Sequence, residues 1–109
     1  MRHQLSEADD GTVVPAETGD EVEICLHEMP SGGYRWLLGD TPADVLEQLE
    51  QRFDFDEGTV GGRNEAHFLF RVKTAGRAIL RLRYDRPWAK GEPPLKSYSV
   101  TVDISERTP

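Results

Sequence analysis

Cys25 and His27 stand two residues apart, and a thiol beside an imidazole is the pairing that turns a cysteine into a nucleophile. The alternation around them places both on one face of a β-strand. Neighbours at that spacing diverge outward, and no loop shapes a cleft over them. Catalysis there is rejected. No other acid–base pair sits in a recognisable cleft, so the chain reads as a non-enzyme. Asp54, Asp56 and Glu57 before Gly58 resemble the start of a calcium loop, but the later bidentate Glu is missing, and a solvated acidic strand end is expected. His3 and His67 are isolated in sequence and no metal-ligand spacing occurs, so neither metal nor cofactor is expected. Arg71, Lys73, Arg77, Arg81 and Arg83 form a basic stripe on two successive strands. Pairing with acidic residues across the strands accounts for it.

The other candidate chemistry is recognition, in three segments. They are Met29-Pro30-Ser31-Gly32-Gly33, Gly58-Thr59-Val60-Gly61-Gly62-Arg63-Asn64 and Asp85-Arg86-Pro87-Trp88-Ala89-Lys90-Gly91-Glu92-Pro93-Pro94. Arg86-Pro87-Trp88 puts an indole at a loop tip, where no strand periodicity requires it. Pro87 fixes its own φ and restricts Arg86. Trp and Arg are the residues most often found at interface hot spots. Trp88 has two readings: an exposed anchor for a partner, or a lid folded onto the end of the domain. Gly32-Gly33 permits positive φ and close backbone approach, although Pro30-Ser31-Gly32-Gly33 alone is also an ordinary turn. Gly61-Gly62 alone can simply close a hairpin.

The elements that position these segments are strands. Val22, Ile24 and Leu26 alternate with polar neighbours, as do Ala66, Phe68, Phe70 and Val72. The same period runs through Ala78, Leu80, Leu82 and Tyr84, and through Tyr98, Val100, Val102 and Ile104. One apolar and one polar face per strand is the pattern of antiparallel sheets packed face to face. Strands are expected near residues 12–15 and at 20–28, 34–38, 51–57, 65–73, 77–85 and 96–104. Trp36 is expected in the core, and Tyr34 is placed to anchor a loop base through its hydroxyl. Thr41-Pro42-Ala43 followed by Val45, Leu46 and Leu49 predicts a helical turn or two. Residues 1–11 read as a frayed polar tail, and 12–109 as one all-β, immunoglobulin-like sandwich of about seven antiparallel strands. Connections in such a sandwich alternate between its two ends, which brings the three glycine- and proline-rich segments to one end. A plain scaffold with its complex loops at one end is how binding loops are presented.

The chain has 109 residues, a length that fits one domain. Its 37% hydrophobic content supports one packed core. A net charge of -7 argues against nucleic-acid and anionic-membrane partners, which need clustered Lys and Arg. Cys25 is the one cysteine, so no internal disulfide forms. The first ten residues lack the apolar run of a secretory leader. That leaves an intracellular protein or a mature chain whose leader has been removed.

From about Glu17 to Ile104 the chain resembles the chagasin family of cysteine peptidase inhibitors. The first family motif, Asn-Pro-Thr-Thr-Gly-Tyr, is matched by Met29-Pro30-Ser31-Gly32-Gly33-Tyr34, with Trp36 following. The second, Gly-x-Gly-Gly, is matched by Thr59-Val60-Gly61-Gly62, with Gly58 one place early. The third, Arg-Pro-Trp or Arg-Pro-Phe, is matched by Arg86-Pro87-Trp88. Met29 stands where the family has Asn, Gly32 where it has its second Thr, and Thr59 where it has the first glycine. The resemblance implies an immunoglobulin-like fold and reversible, competitive, non-covalent inhibition of papain-like cysteine peptidases; a monomer is expected. The first loop would sit at the catalytic thiol, the second along the substrate groove, and Trp88 against aromatic residues beyond it. The alternative is an interaction module that uses the same loop end on a non-peptidase partner.

Overall fold

Strands form where the alternation holds, and the structure adds one that the alternation did not reveal. A computed structural model of the protein describes residues 1–28, 34–54, 64–86, 88, 91 and 93–107. Its strands in chain order are β1 (Arg2–Leu5), β2 (Val13–Glu17), β3 (Glu21–Glu28), β4 (Arg35–Leu38), β5 (Leu46–Asp54), β6 (Asn64–Val72), β7 (Gly76–Asp85) and β8 (Lys96–Ser105). They make two four-stranded sheets, ordered β1-β3-β6-β5 and β2-β8-β7-β4. The architecture is the expected all-β, immunoglobulin-like sandwich. The central pairings are antiparallel. The edge strands β1 and β2 depart from the expected pattern and run parallel to β3 and β8.

The two inner faces meet in one core. Val22, Ile24 and Leu26 of β3, with Phe68 and Phe70 of β6, are fully buried from one sheet. Leu80 and Tyr84 of β7, with Val100 and Val102 of β8, are buried from the other. Truncating Phe68 or Phe70 to Ala would cost about 3–5 kcal/mol, since the packed sheets cannot collapse into the space. Trp36 is 3% exposed, as expected for its place on β4. Its ring lies 5.0 Å from Tyr84 and meets Tyr98 edge-on at 6.4 Å.

Two local expectations are corrected. Residues 1–11 are not a frayed tail. β1 pairs with β3 in register from Arg2↔Glu21 to Leu5↔Ile24, and Leu5 is buried. A short 3-10 turn at Glu7–Asp9 follows, closed by a capping box between Ser6 and Asp9. Tyr98 donates its hydroxyl proton to the Ser6 carbonyl at 2.9 Å, which holds this crossing against the second sheet. A four-residue strand with one inward apolar side chain is too short to show a period. At Thr41–Leu49 the chain makes a single turn, with the Val45 and Leu46 N–H groups both donating to the Pro42 carbonyl. It then enters β5 at Leu46, earlier than residue 51, because β6 offers a ladder from Val72 onward. Leu49 falls at a register shift between Gln48 and Glu50, so its helical spacing from Val45 is a bulge in a strand.

The basic stripe also dissolves. β6 and β7 lie in different sheets, so Arg71 is separated from Arg77, Arg81 and Arg83. Arg77 pairs with Asp103 at 3.6 Å and Arg83 with Asp85 at 3.8 Å, while Arg71 stands in register with Glu21 and Glu47.

Candidate functional site

Strand direction decides where the three recognition segments emerge. Glu28 ends β3 opposite Asn64, which starts β6, and Asp54 ends β5 opposite Glu65. In the other sheet Arg35 starts β4 opposite Asp85, and Lys96 starts β8 opposite Tyr84. The two sets of strand ends meet across the sandwich: the Trp36 indole N–H donates to the His27 carbonyl at 3.0 Å. The chain therefore leaves and re-enters all three segments at one end. The other end carries the tight Gly19 turn, with φ of +92°, and the Lys73–Ala75 connection.

Three contacts tie the loop bases together. Glu28 occupies the inward position after Leu26, is 3% exposed, and accepts the Trp36 backbone N–H at 2.9 Å. A buried carboxylate without such a donor would carry a large desolvation cost. The bond holds the two strands flanking the first segment together. The guanidinium of Arg35 lies 4.9 Å from the Phe53 ring centroid, which joins the first segment's exit to the second segment's entry. The guanidinium of Arg86 lies 5.1 Å from the Tyr34 ring, which joins the third segment to the first. Tyr34 anchors through its ring, stacked on Tyr84 at 5.5 Å. Trp88 is 68% exposed, so the lid reading fails and the indole stands in water.

Of the site residues named from the sequence, Tyr34, Arg86 and Trp88 are described, and they belong to this end. Met29, Pro30, Ser31, Gly32, Gly33, Thr59, Val60, Gly61, Gly62 and Pro87 lie outside the described residues, as do Asp56, Glu57 and Gly58. Sequence reasoning missed Glu28, Arg35 and Phe53. An acid in an inward register position was the available signal for Glu28.

Cys25 has different neighbours from those its sequence suggests. Register sets it opposite His67, and the Cys25 thiol donates to Glu65 Oε2 at 3.4 Å, with His67 Nε2 at 3.8 Å. Burial, and then the hydrogen bond to Glu65 with the negative charges of Glu65, Glu23 and Glu7, push the thiol up to about 12. It is a poor nucleophile in this state, in keeping with a non-enzyme. His67 is not isolated.

Residues 16–102 match the family described as Chagasin family peptidase inhibitor I42. The chain belongs to the chagasin family. Chagasin itself, from Trypanosoma cruzi, is 30% identical over 93 residues, covering 81% of this chain and 84% of that protein. Amoebiasin-2 of Entamoeba histolytica is 29% identical over 105 residues, covering 94% and 85%. The crystal structure of a cysteine protease inhibitor from Entamoeba histolytica superposes with a TM-score of 0.86 at 28% identity, covering 95% of this chain and 96% of that one. As a member of the chagasin family the chain is a peptidase inhibitor, not an enzyme. The described residues that flank the three motif-bearing segments, Glu28 and Tyr34, Asp54 and Asn64, and Arg86, lie at the loop-bearing end.

Proposed function

We propose that this protein is a reversible, competitive inhibitor of papain-like cysteine peptidases, and that it binds them with the three loops at one end of the sandwich. The observation that carries the reading is the convergence of all three loop bases at one end, locked by Glu28–Trp36, Arg35–Phe53 and Arg86–Tyr34. Trp88, two residues after Arg86 in the third loop, has an exposed indole. The binding residues are Met29, Pro30, Ser31, Gly32, Gly33 and Tyr34 in the first loop, Thr59, Val60, Gly61 and Gly62 in the second, and Arg86, Pro87 and Trp88 in the third. Pre-organisation supplies the physical logic. A loop whose two ends are fixed to a rigid sandwich loses less conformational entropy on docking than a free one. A protease–inhibitor contact buries on the order of 1,600 Å² in total, an area that three loops and their flanks can provide. Neither nucleophile nor cofactor takes part, so inhibition reverses on dilution.

The test is inhibition of papain and of a cathepsin L-like enzyme, with trypsin as control. Competitive inhibition of the first two, activity regained on dilution, and no effect on trypsin are expected. Equal inhibition of trypsin, or inhibition of neither cysteine enzyme, would overturn the reading. Binding to a catalytically dead papain separates it from a module for a non-peptidase partner.

A further inference from the structure

We propose that Cys25, Glu65 and His67 form a zinc-binding site on the outer face of the first sheet. The three side chains come from two adjacent strands. Cys25 of β3 stands opposite His67 of β6, and Glu65 follows two residues earlier on the same face of β6. Cys25 Sγ lies 3.4 Å from Glu65 Oε2 and 3.8 Å from His67 Nε2, and those two atoms are 3.5 Å apart. Tetrahedral zinc, with its usual bond lengths to S, N and O, separates S from O and S from N by about 3.6 Å, and N from O by about 3.4 Å. Each observed edge is within roughly 0.2 Å of its ideal. The circle through the three atoms has a radius of about 2.1 Å, so an ion at ordinary bond lengths sits just above their plane. Its fourth position is left to water.

The strands that carry the donors are held in place before any ion arrives. The residues between and beside them, Ile24, Leu26, Ala66 and Phe68, are fully buried and fix both strands. The groove that opens on Cys25 is lined by Ser6, Glu7, His27 and Glu65, which gives an ion access from solvent. The local field favours a cation: Glu7, Glu23 and Glu65 all act on the sulfur. The nearest cation in register is Arg52, opposite His67, and its guanidinium reaches Glu50 at 3.4 Å. On binding, the Cys25 S–H bond breaks, its proton goes to solvent, and an S–Zn bond forms. Thiolate and carboxylate together neutralise the divalent charge, and a neutral imidazole binds through Nε2. A mixed S/N/O donor set at this spacing suits zinc, whereas calcium and magnesium take oxygen alone.

Cobalt(II) reports on such a site directly, because tetrahedral coordination and a Co–S bond each have a visible or near-ultraviolet signature. The experiment titrates the full chain with Co²⁺ alone and then displaces it with Zn²⁺. One equivalent of Co²⁺ is expected to give intense d–d bands and a thiolate-to-cobalt charge-transfer band, both bleached by Zn²⁺. Cys25→Ser should abolish the charge-transfer band, and His67→Gln should weaken zinc binding at least about tenfold, with the fold checked by circular dichroism. His3→Gln, whose ring bonds Asp20 and not the three donors, should leave the cobalt spectrum and the zinc affinity unchanged. A pale octahedral spectrum without the charge-transfer band in the wild-type protein would overturn the site whether or not the variants fold. So would zinc affinity that Cys25→Ser leaves unchanged.

Discussion

The Arg86 guanidinium rests 5.1 Å from the centroid of the Tyr34 ring, so the base of the third loop is fastened to the base of the first. Tyr34 is itself held by stacking on Tyr84. Contacts of this kind fix where the two loops leave the sandwich relative to one another. A cation over an aromatic face at a partly exposed site contributes about 0.5–1 kcal/mol. A double-mutant cycle of Tyr34→Leu and Arg86→Ala, read in urea unfolding free energies, should therefore show a coupling of about that size. Effects that add to within roughly 0.3 kcal/mol would mean that the two loops act independently.

Glu28 should matter to stability and to inhibition together. Its carboxylate accepts the Trp36 N–H from inside the sandwich. Glu28→Ala leaves that donor buried without a partner, at a cost of about 1–3 kcal/mol. Glu28→Gln keeps an acceptor oxygen and should cost less. Denaturant midpoints of the two variants give the order. An Ala variant as stable as the wild type would show that water replaces the carboxylate there.

Most of the fold was legible because period two survives in strands that are buried on one face only. β3, β6, β7 and β8 carry it over four or more inward positions, and the three family motifs lie between or after such strands. What was not legible depends on partners distant in sequence. β1 exists because Leu5 finds a place beside Ile24. β5 begins early because β6 is there to pair with it. Cys25 and His67 are 42 residues apart and meet only through the β3–β6 register, which no scan for short ligand spacing can find. Glu28 belongs to no motif, and only its phase relative to Leu26 marks it as inward.

Asp20 gives a prediction in pH. It lies at the end opposite the loops and is nearly buried. Burial by itself would raise its pKa. The bonds from His3, the Glu17 N–H and the Met1 amino group outweigh that and hold it far below its ordinary value of 3.8. Arg107 also reaches it. A depressed carboxylate contributes stability that is present above the unfolded value and is lost as pH falls towards the folded one. The wild type should thus keep this contribution at neutral pH and lose it progressively below about pH 4. Asp20→Asn should be destabilised at pH 7 by roughly 3 kcal/mol, as for removing one member of a buried ion group. The difference from the wild type should shrink as the pH falls below that range. Urea midpoints at several pH values would check this, and a pH-independent gap would assign the loss to packing.

Trp88 should be the largest single contributor to peptidase binding. It is 68% exposed in the free protein, so its indole supports little of the core. Trp88→Ala should change folding stability by less than about 1 kcal/mol. An indole has few rotatable bonds and a large apolar area, so it loses little entropy and gains much burial when it docks. Truncation should cost about 2 kcal/mol or more of affinity, close to a thirtyfold rise in the inhibition constant. Ser31→Ala should cost less, because the adjacent Gly32 already lacks the hydroxyl of the family motif. The two variants are to be compared for inhibition of papain and for denaturant midpoint. A midpoint that collapses while the remaining folded protein inhibits as before would make Trp88 a structural residue. An unchanged midpoint with an unchanged inhibition constant would place the peptidase contact elsewhere on the sandwich.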